Sequence, residues 1–275
     1  MMRKNIEMGV NPTRCITLNT IKLAYGNEGI ENEHYLLWSG GTDSTLCLYE
    51  LLEMYGVDKV IAVSLIYPWL HKTKIENEQV HRKAIKEKLK LQLSLSKDIR
   101  HMEITVSPEM ISGDYISLSD GGLPQAVAWL STIGLYLPDG AYVYCGAIKN
   151  DDLTVFMDHY HKMFEGMAGT LHRDITLREP YIMMEKYQVL DKLFQYNLYD
   201  VTWHCEMPNG LNKPCLKCIP CLTHNSALIM LTMNASSDLI KVQAKKELDK
   251  LTKLMSEHPT ENNQITFDKS SEVTN

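Results

Sequence analysis

Strands alternating with helices predict an α/β fold, a doubly wound and mostly parallel sheet. Three observations carry that expectation. The apolar runs Tyr35–Trp38 and Val60–Tyr67 show no in-out alternation, as strands covered on both faces should not. Leu48, Leu51, Leu52 and Tyr55 recur at helical spacing between them. A glycine-rich turn, Ser39-Gly40-Gly41-Thr42-Asp43-Ser44-Thr45, joins the first run to that helix.

Taken in order, residues 1–33 form an N-terminal extension. Ile16, Leu18, Ile21 and Leu23 there suggest a short strand or hairpin that ends at Gly26 and covers a sheet edge. The first helix runs from about Asp43 to Tyr55, with Gly56 as its C-cap. After the second strand, Glu76–Ser96 reads as a charged amphipathic helix, Met102–Val106 as a strand, Pro124–Leu137 as a buried helix and Ala141–Ala147 as a fourth strand. Residues 34–200 make the main domain. Residues 201–256 hold a cysteine cluster and one or two helices over Leu228–Met255, with Leu239, Val242, Leu248 and Leu251 as expected core positions. The polar stretch 257–275 is expected to be disordered.

The 275 residues suffice for a full core, and 44% hydrophobic with 23% charged residues is an ordinary globular balance. A net charge of -6 gives no bulk attraction to nucleic acid. The longest apolar run, Ala126–Leu137, is too short to span a bilayer, and no targeting signal is visible. A cytoplasmic protein is expected, whose seven cysteines stay reduced, so clustered ones point to metal.

In such sheets ligands bind at the carboxyl ends of the strands, which brings Ser39–Thr45, Ser64–Tyr67 and Gly146–Asp152 around one crevice. The two glycines of the first turn let backbone approach an anion closely, and the following helix aims free N–H groups at the same spot. Ser39, Ser44 and Thr45 add hydroxyl donors. Asp43 is acidic, so its partner is a magnesium ion or the helix cap. A bare helix cap would need no such combination of glycines, serines and aspartate. The stretch resembles the PP-loop of the N-type ATP pyrophosphatases, which cleave ATP between its α and β phosphates, and the Walker pattern is missing.

Cys205, Cys215, Cys218 and Cys221 follow the spacing Cys-x9-Cys-x2-Cys-x2-Cys. Four thiolates on a tight knuckle give a soft tetrahedral site for which zinc is the default, with an iron–sulfur cluster as the alternative. His204 and His224 flank it. Cys47 and Cys145 read as buried structural thiols.

The PP-loop and the knuckle together resemble the 7-cyano-7-deazaguanine synthase family of the queuosine pathway, over roughly Tyr35–Leu222. Ser39-Gly40-Gly41-x-Asp43-Ser44-Thr45-x-Cys47-Leu48 is similar to that family's opening, Gly146–Asp151 to its Gly-x-x-x-x-Asp, and Glu179-Pro180 with Lys186 to its Glu-Thr-Pro and following lysine. The chain departs from the family at Leu123-Pro124-Gln125-Ala126, where the family has Pro-Gly-Arg-Asn, and at Leu153–His159, where it has Tyr-Pro-Asp-Cys-Arg. The resemblance implies a Rossmann-like ATP-dependent ligase that adenylates a deazaguanine-type carboxylate and converts it with ammonia to an amide or nitrile. ATP, Mg2+ and Zn2+ are the implied cofactors. Ser39, Gly40, Gly41, Thr42, Asp43, Ser44, Thr45, Ser64, Leu65 and Gly146 would line the nucleotide site, with Ser64 and Leu65 near adenine. Asp43, Lys149, Asp151 and Lys186 would act at the phosphates or substrate, and the four cysteines would hold a structural zinc. Relatives in antiviral gene cassettes extend the expectation to a protein or nucleic-acid target. PP-loop sulfur transferases acting on tRNA are the competing class. A homodimer is admissible, and no membrane partner is expected.

Overall fold

The structure, a computed structural model, describes residues 19–26, 28–29, 31–67, 72–106, 125–149 and 151–257. Strands β1 (His34–Leu37), β2 (Val60–Ile66), β3 (Arg100–Thr105), β4 (Tyr142–Tyr144) and β5 (Thr176–Arg178) form one sheet in the order β3-β2-β1-β4-β5. Every neighbouring pair is parallel. The helices are α1 (Thr20–Tyr25), α2 (Thr42–Tyr55), α3 (Lys72–Gln92), α4 (Gln125–Tyr136), α5 (Asp152–Val155), α6 (Met157–Thr170), α7 (Lys186–Gln195), α8 (Ile219–Asn234) and α9 (Asp238–Glu257).

The pleat divides the core in two. Leu36, Trp38, Ala62 and Tyr144 pack with Leu48 of α2, Ile85 of α3 and Val189 of α7. Tyr35, Leu37, Val63 and Val143 face the other way, against Leu130 and Ile133 of α4 and Phe164 of α6. Both faces are covered, which is why β1 and β2 read as unbroken apolar runs. Strand order reverses between β1 and β4, and in such sheets the carboxyl ends at this switch point are where ligands bind. β5 is only three residues long and left no sequence signal.

Two expectations are corrected. Ile21 and Leu23 lie in a helix, α1, and not in a strand or hairpin. Asn19 caps it by accepting the Lys22 amide at 3.0 Å. The fully buried Glu50 of α2 accepts the Thr20 amide at 2.8 Å and the Ile21 amide at 3.2 Å, with Lys192 Nζ 3.0 Å away as counter-charge. The helix is thus fixed by a carboxylate 30 residues away. In α9, Leu239 and Val242 are each 68% exposed and are not core. The inward stripe is Ile240 and Ala244, continued by Leu248 and Leu251, a spacing of four, four and three that follows the α8 surface. Ile16, Leu18, Cys15, Leu123-Pro124 and the tail 258–275 lie outside the described residues. No helix among the described residues is long and apolar enough to cross a membrane.

Candidate active site and metal centre

The chain leaves β1 through Trp38 and turns at Gly40, which is buried and has φ 88°, a left-handed value that side chains resist. Gly41 is the N-cap of α2, and no side chain caps that helix. Its first N–H groups therefore lack the usual intrahelical acceptors and stay available to an anion. The Asp43 helix-cap alternative is thereby removed. Ser39 Oγ accepts the Gly41 amide at 3.1 Å and lies 3.3 Å from Ser44 Oγ, which donates to Gly41 O at 3.4 Å. Thr45 is fully buried, with its hydroxyl 3.5 Å from Trp38 Nε1.

Gly146, past the end of β4, packs directly on this turn. A Cβ there would stand 3.0 Å from the Ser44 nitrogen and 3.1 Å from the Asp43 carbonyl carbon. Only a glycine lets the end of β4 approach the start of α2 so closely.

Lys186, the first residue of α7, reaches across to the turn. Its Nζ donates to Thr42 Oγ1 at 2.6 Å and to Asp43 Oδ2 at 2.5 Å. Asp43 Oδ1 is buried without a hydrogen-bond partner, an acceptor whose chemistry suits a divalent cation. Lys149 pairs with Glu185 Oε1 at 3.0 Å, beside the start of α7, and remains about half exposed. Asp151 sits in an exposed turn after Ile148. Asp43, Asp151 and Glu179 all bear electrostatically on the Cys145 thiol, which burial first and these carboxylates next push up to about 12. Glu179 is nearly buried, 2.9 Å from His161 Nε2, and desolvation raises its carboxyl above the usual range. Ser64 is buried and donates to Trp38 O at 2.6 Å, with His101 Nε2 2.9 Å away, so its hydroxyl ties β2 to the exit of β1. Leu65 is partly buried beside it.

Sequence reasoning missed Arg82. This α3 residue is 3% exposed, and its Nη1 donates to Ser39 O at 3.2 Å while Nη2 reaches Glu103 at 3.4 Å. Its stem packs against Gly40, where a Cβ would lie 3.0 Å from Arg82 Cγ. A single arginine in a charged helix carries no local mark of this role.

The four cysteines place their sulfurs within 4.8 Å of one another, a group able to hold a metal ion. Metal–sulfur bonds of about 2.3 Å in a tetrahedron set sulfurs about 3.8 Å apart, and Cys218 Sγ lies 4.0 Å from Cys205 Sγ. A multi-iron core would interpose further atoms between the sulfurs and spread them wider. The Cys215 amide donates to Cys205 Sγ at 3.1 Å and the Cys218 amide to Cys215 Sγ at 3.3 Å. Leu216, between them, is held at φ 62°, an unfavourable conformation for leucine that the turn requires. His204 and His224 stack on each other at 3.8 Å and are not part of the sulfur group.

This knuckle is wired to the first turn. The Trp203 amide donates to Gly40 O at 3.2 Å, and Trp203 Nε1 donates to Cys205 O at 2.8 Å. From α3, the buried Asn77 donates to Gly210 O at 3.2 Å and accepts the Asn212 amide at 2.6 Å, while Lys74 pairs with Glu206. One face of α3 thus holds the glycine turn through Arg82 and the knuckle through Asn77 and Lys74.

Together these features define an α/β protein with an uncapped helix start at its topological switch point and a four-cysteine knuckle locked against it. No protein-family model matches the chain, and no curated protein matches it in sequence. Among solved structures it is similar to a U34-tRNA thiolase from Methanococcus maripaludis described with its [4Fe-4S] cluster, at 12% identity and TM-score 0.44, over 85% of this chain and 76% of that one. It is also similar to an NMN synthetase from Francisella tularensis, at 15% identity and TM-score 0.36, over 85% and 89% of the two chains. An NH3-dependent NAD synthetase from Campylobacter jejuni gives 14% identity and TM-score 0.36, over 85% and 90%.

Proposed function

We propose that the chain is an ATP-dependent synthetase of the PP-loop class that adenylates a carboxylate and passes the acyl group to ammonia. The observation that carries this reading is the uncapped start of α2 behind Gly40 and Gly41, bridged by Lys186 to Thr42 and Asp43. In the proposed reaction a carboxylate oxygen attacks the α-phosphorus and pyrophosphate leaves. Ammonia then displaces AMP from the acyl-adenylate to give an amide; a second ATP adenylates the amide oxygen with release of pyrophosphate, and departure of AMP with the remaining N–H proton leaves a nitrile. The N–H groups of the turn and the Lys186 ammonium would hold the charge that accumulates on the departing pyrophosphate. Asp43, through its unpartnered oxygen, would hold Mg2+, which neutralises phosphate charge. Lys149, Asp151 and Glu179 at the ends of β4 and β5 would meet the acyl substrate. Ser64 and Leu65 would border the adenine.

A 7-carboxy-7-deazaguanine-like acid is the proposed substrate, in keeping with the motif resemblance. The same machinery serves if the acceptor amine belongs to a protein or a nucleic acid. We take the knuckle as a structural zinc site, because a closed set of four thiolates leaves no open position for chemistry.

The test is ATP–pyrophosphate exchange with candidate acids, followed by AMP release on adding ammonia. Exchange that depends on the acid supports the reading. No exchange with any acid, together with visible absorbance and a thiolated tRNA product, would replace it with sulfur transfer.

A further inference from the structure

Helix α8 starts inside the knuckle and carries no Asp, Glu, Lys or Arg from Ile219 to Asn234. Its inward face is accounted for by Cys221, His224, Ala227, Leu228 and Leu231, all buried. The outward face is apolar as well. Ile219 is 75% exposed, Leu222 52%, Ile229 49%, Met230 39% and Met233 60%. A helix that is hydrophobic all round is normally buried all round. Here half of it faces outward.

The spacing of the outward residues is informative. Ile219, Leu222, Ser226, Ile229 and Met233 follow one another by three, four, three and four, the seam of a two-helix coiled coil. The outward face, with Met230 beside the seam, is also nearly symmetric about Ser226, Ile229 alone facing a polar counterpart, Thr223. Ile219 and Met233 lie seven residues to either side, and Leu222 and Met230 lie four.

We propose that α8 is the interface for a second copy of this chain, paired antiparallel about a twofold axis at Ser226. In that arrangement Ile219 of one copy meets Met233 of the other, Leu222 meets Met230, and the small serine lets the two backbones approach at the crossing. Such an interface presents the same patch on both copies, as twofold dimers do. With no charge on the helix, bringing it against itself opposes no like charges. The area suits the occupant. The exposed fractions amount to about 600 Å² of apolar surface, the upper end of what a monomer shows in one patch. With a polar rim from Thr223, Ser226 and Asn234 it approaches the roughly 800 Å² per partner of a stable interface. Because Pro220 and Cys221 belong to both knuckle and helix, the dimer would rest on the metal-bearing segment.

The test is sedimentation velocity of the full chain at micromolar concentrations, for the wild type and two variants. The wild type is expected to sediment as a dimer of 31.5 kDa subunits. Leu222→Glu with Ile229→Glu, both at exposed positions, is expected to be monomeric with unchanged far-UV circular dichroism. Ser226→Cys is expected to give an oxidation-dependent covalent dimer whose bridge maps to position 226 of both copies. A monomeric wild type would overturn the proposal, and so would a dimer that survives the double glutamate variant. A dimer that the double variant breaks, but that Ser226→Cys never cross-links, would overturn the antiparallel register. If dimers appear only after removal of 1–18 or 258–275, the chain's own segment covers this face, and the proposal fails.

Discussion

Gly146→Ala isolates the close approach of β4 to the turn proposed to hold the nucleotide. The glycine has no positive φ, so the alanine costs nothing in backbone conformation. The whole effect is steric: the new methyl would lie 3.0 Å from Ser44 N, 3.1 Å from Asp43 C and 3.3 Å from Ser44 Cα. All three are backbone atoms at the start of α2, and none can rotate away. Relief requires the end of β4 and the turn to part by a few tenths of an ångström. Overpacking of this kind costs about 1–3 kcal/mol, which lowers Tm by roughly 2–4 °C per kcal/mol in a domain this size. Displacing phosphate-binding groups by that distance should cost about tenfold or more in turnover, given that a shift of ~1 Å costs ~100-fold. The assay is a urea melt together with ATP binding by calorimetry and ATP–pyrophosphate exchange. Gly166→Ala on α6 is the control, since nothing lies within 4 Å of its added methyl. That variant should gain about 0.5–1 kcal/mol from helix propensity and leave ATP binding alone. If Gly146→Ala binds ATP and melts like wild type, the turn is not the nucleotide site, or its packing is irrelevant to it.

Lys186→Met removes the bridge to Thr42 and Asp43 and should reduce exchange by about 100-fold, while stability changes by about 1–3 kcal/mol for the stranded carboxylate; a rate within threefold of wild type would make it a structural lysine. Stripping the metal with a chelator should lower Tm by about 10 °C or more and abolish ATP binding, because Trp203 links the knuckle to Gly40. Undiminished ATP affinity in the metal-free protein would show that link to be idle. The third expectation concerns acid. His34 is fully buried, and desolvation first, then the nearby Arg178 and Lys59 charges, hold it down at about 4. The unfolded chain takes up this proton near pH 6.5 and the folded one only near 4, so stability falls as pH drops through that window. The loss should reach about 2 kcal/mol at pH 5, measured as Tm against pH. His34→Gln should flatten the slope by that share, and an unchanged slope would assign the acid sensitivity elsewhere.

What could be read in the chain was local. Ser39–Thr45 announces itself because its chemistry and its fold sit in seven consecutive residues, and Cys215, Cys218 and Cys221 do the same in their short loop. Unbroken apolar runs gave β1 and β2 because both faces of the sheet are covered. What escaped depends on partners distant in sequence. α1 is a helix because Glu50 receives its first amides, and the 16–23 segment holds no sign of that carboxylate. Arg82 grips Ser39 across 43 positions. Leu239 and Val242 looked inward because apolar residues at helical spacing do not say which of two offset stripes the neighbouring helix will choose. The parallel sense of the strands followed from the alternation; their order in the sheet, and the short β5 at its edge, did not. The contact between Trp203 and Gly40 did not, since backbone bonds leave no trace in residue type.

That contact sets an order of assembly. The strand end that abuts Ser39–Thr45 comes about a hundred residues after it and the indole-bearing clamp some sixty later still. A fragment ending before Trp203 would carry the complete motif without the clamp on Gly40, and the turn would be completed only once this later segment folds back onto β1. If the cysteine group takes up a metal as proposed, supply of that metal becomes a checkpoint on completing the turn, and starved chains would carry a finished sheet and an unfinished mouth.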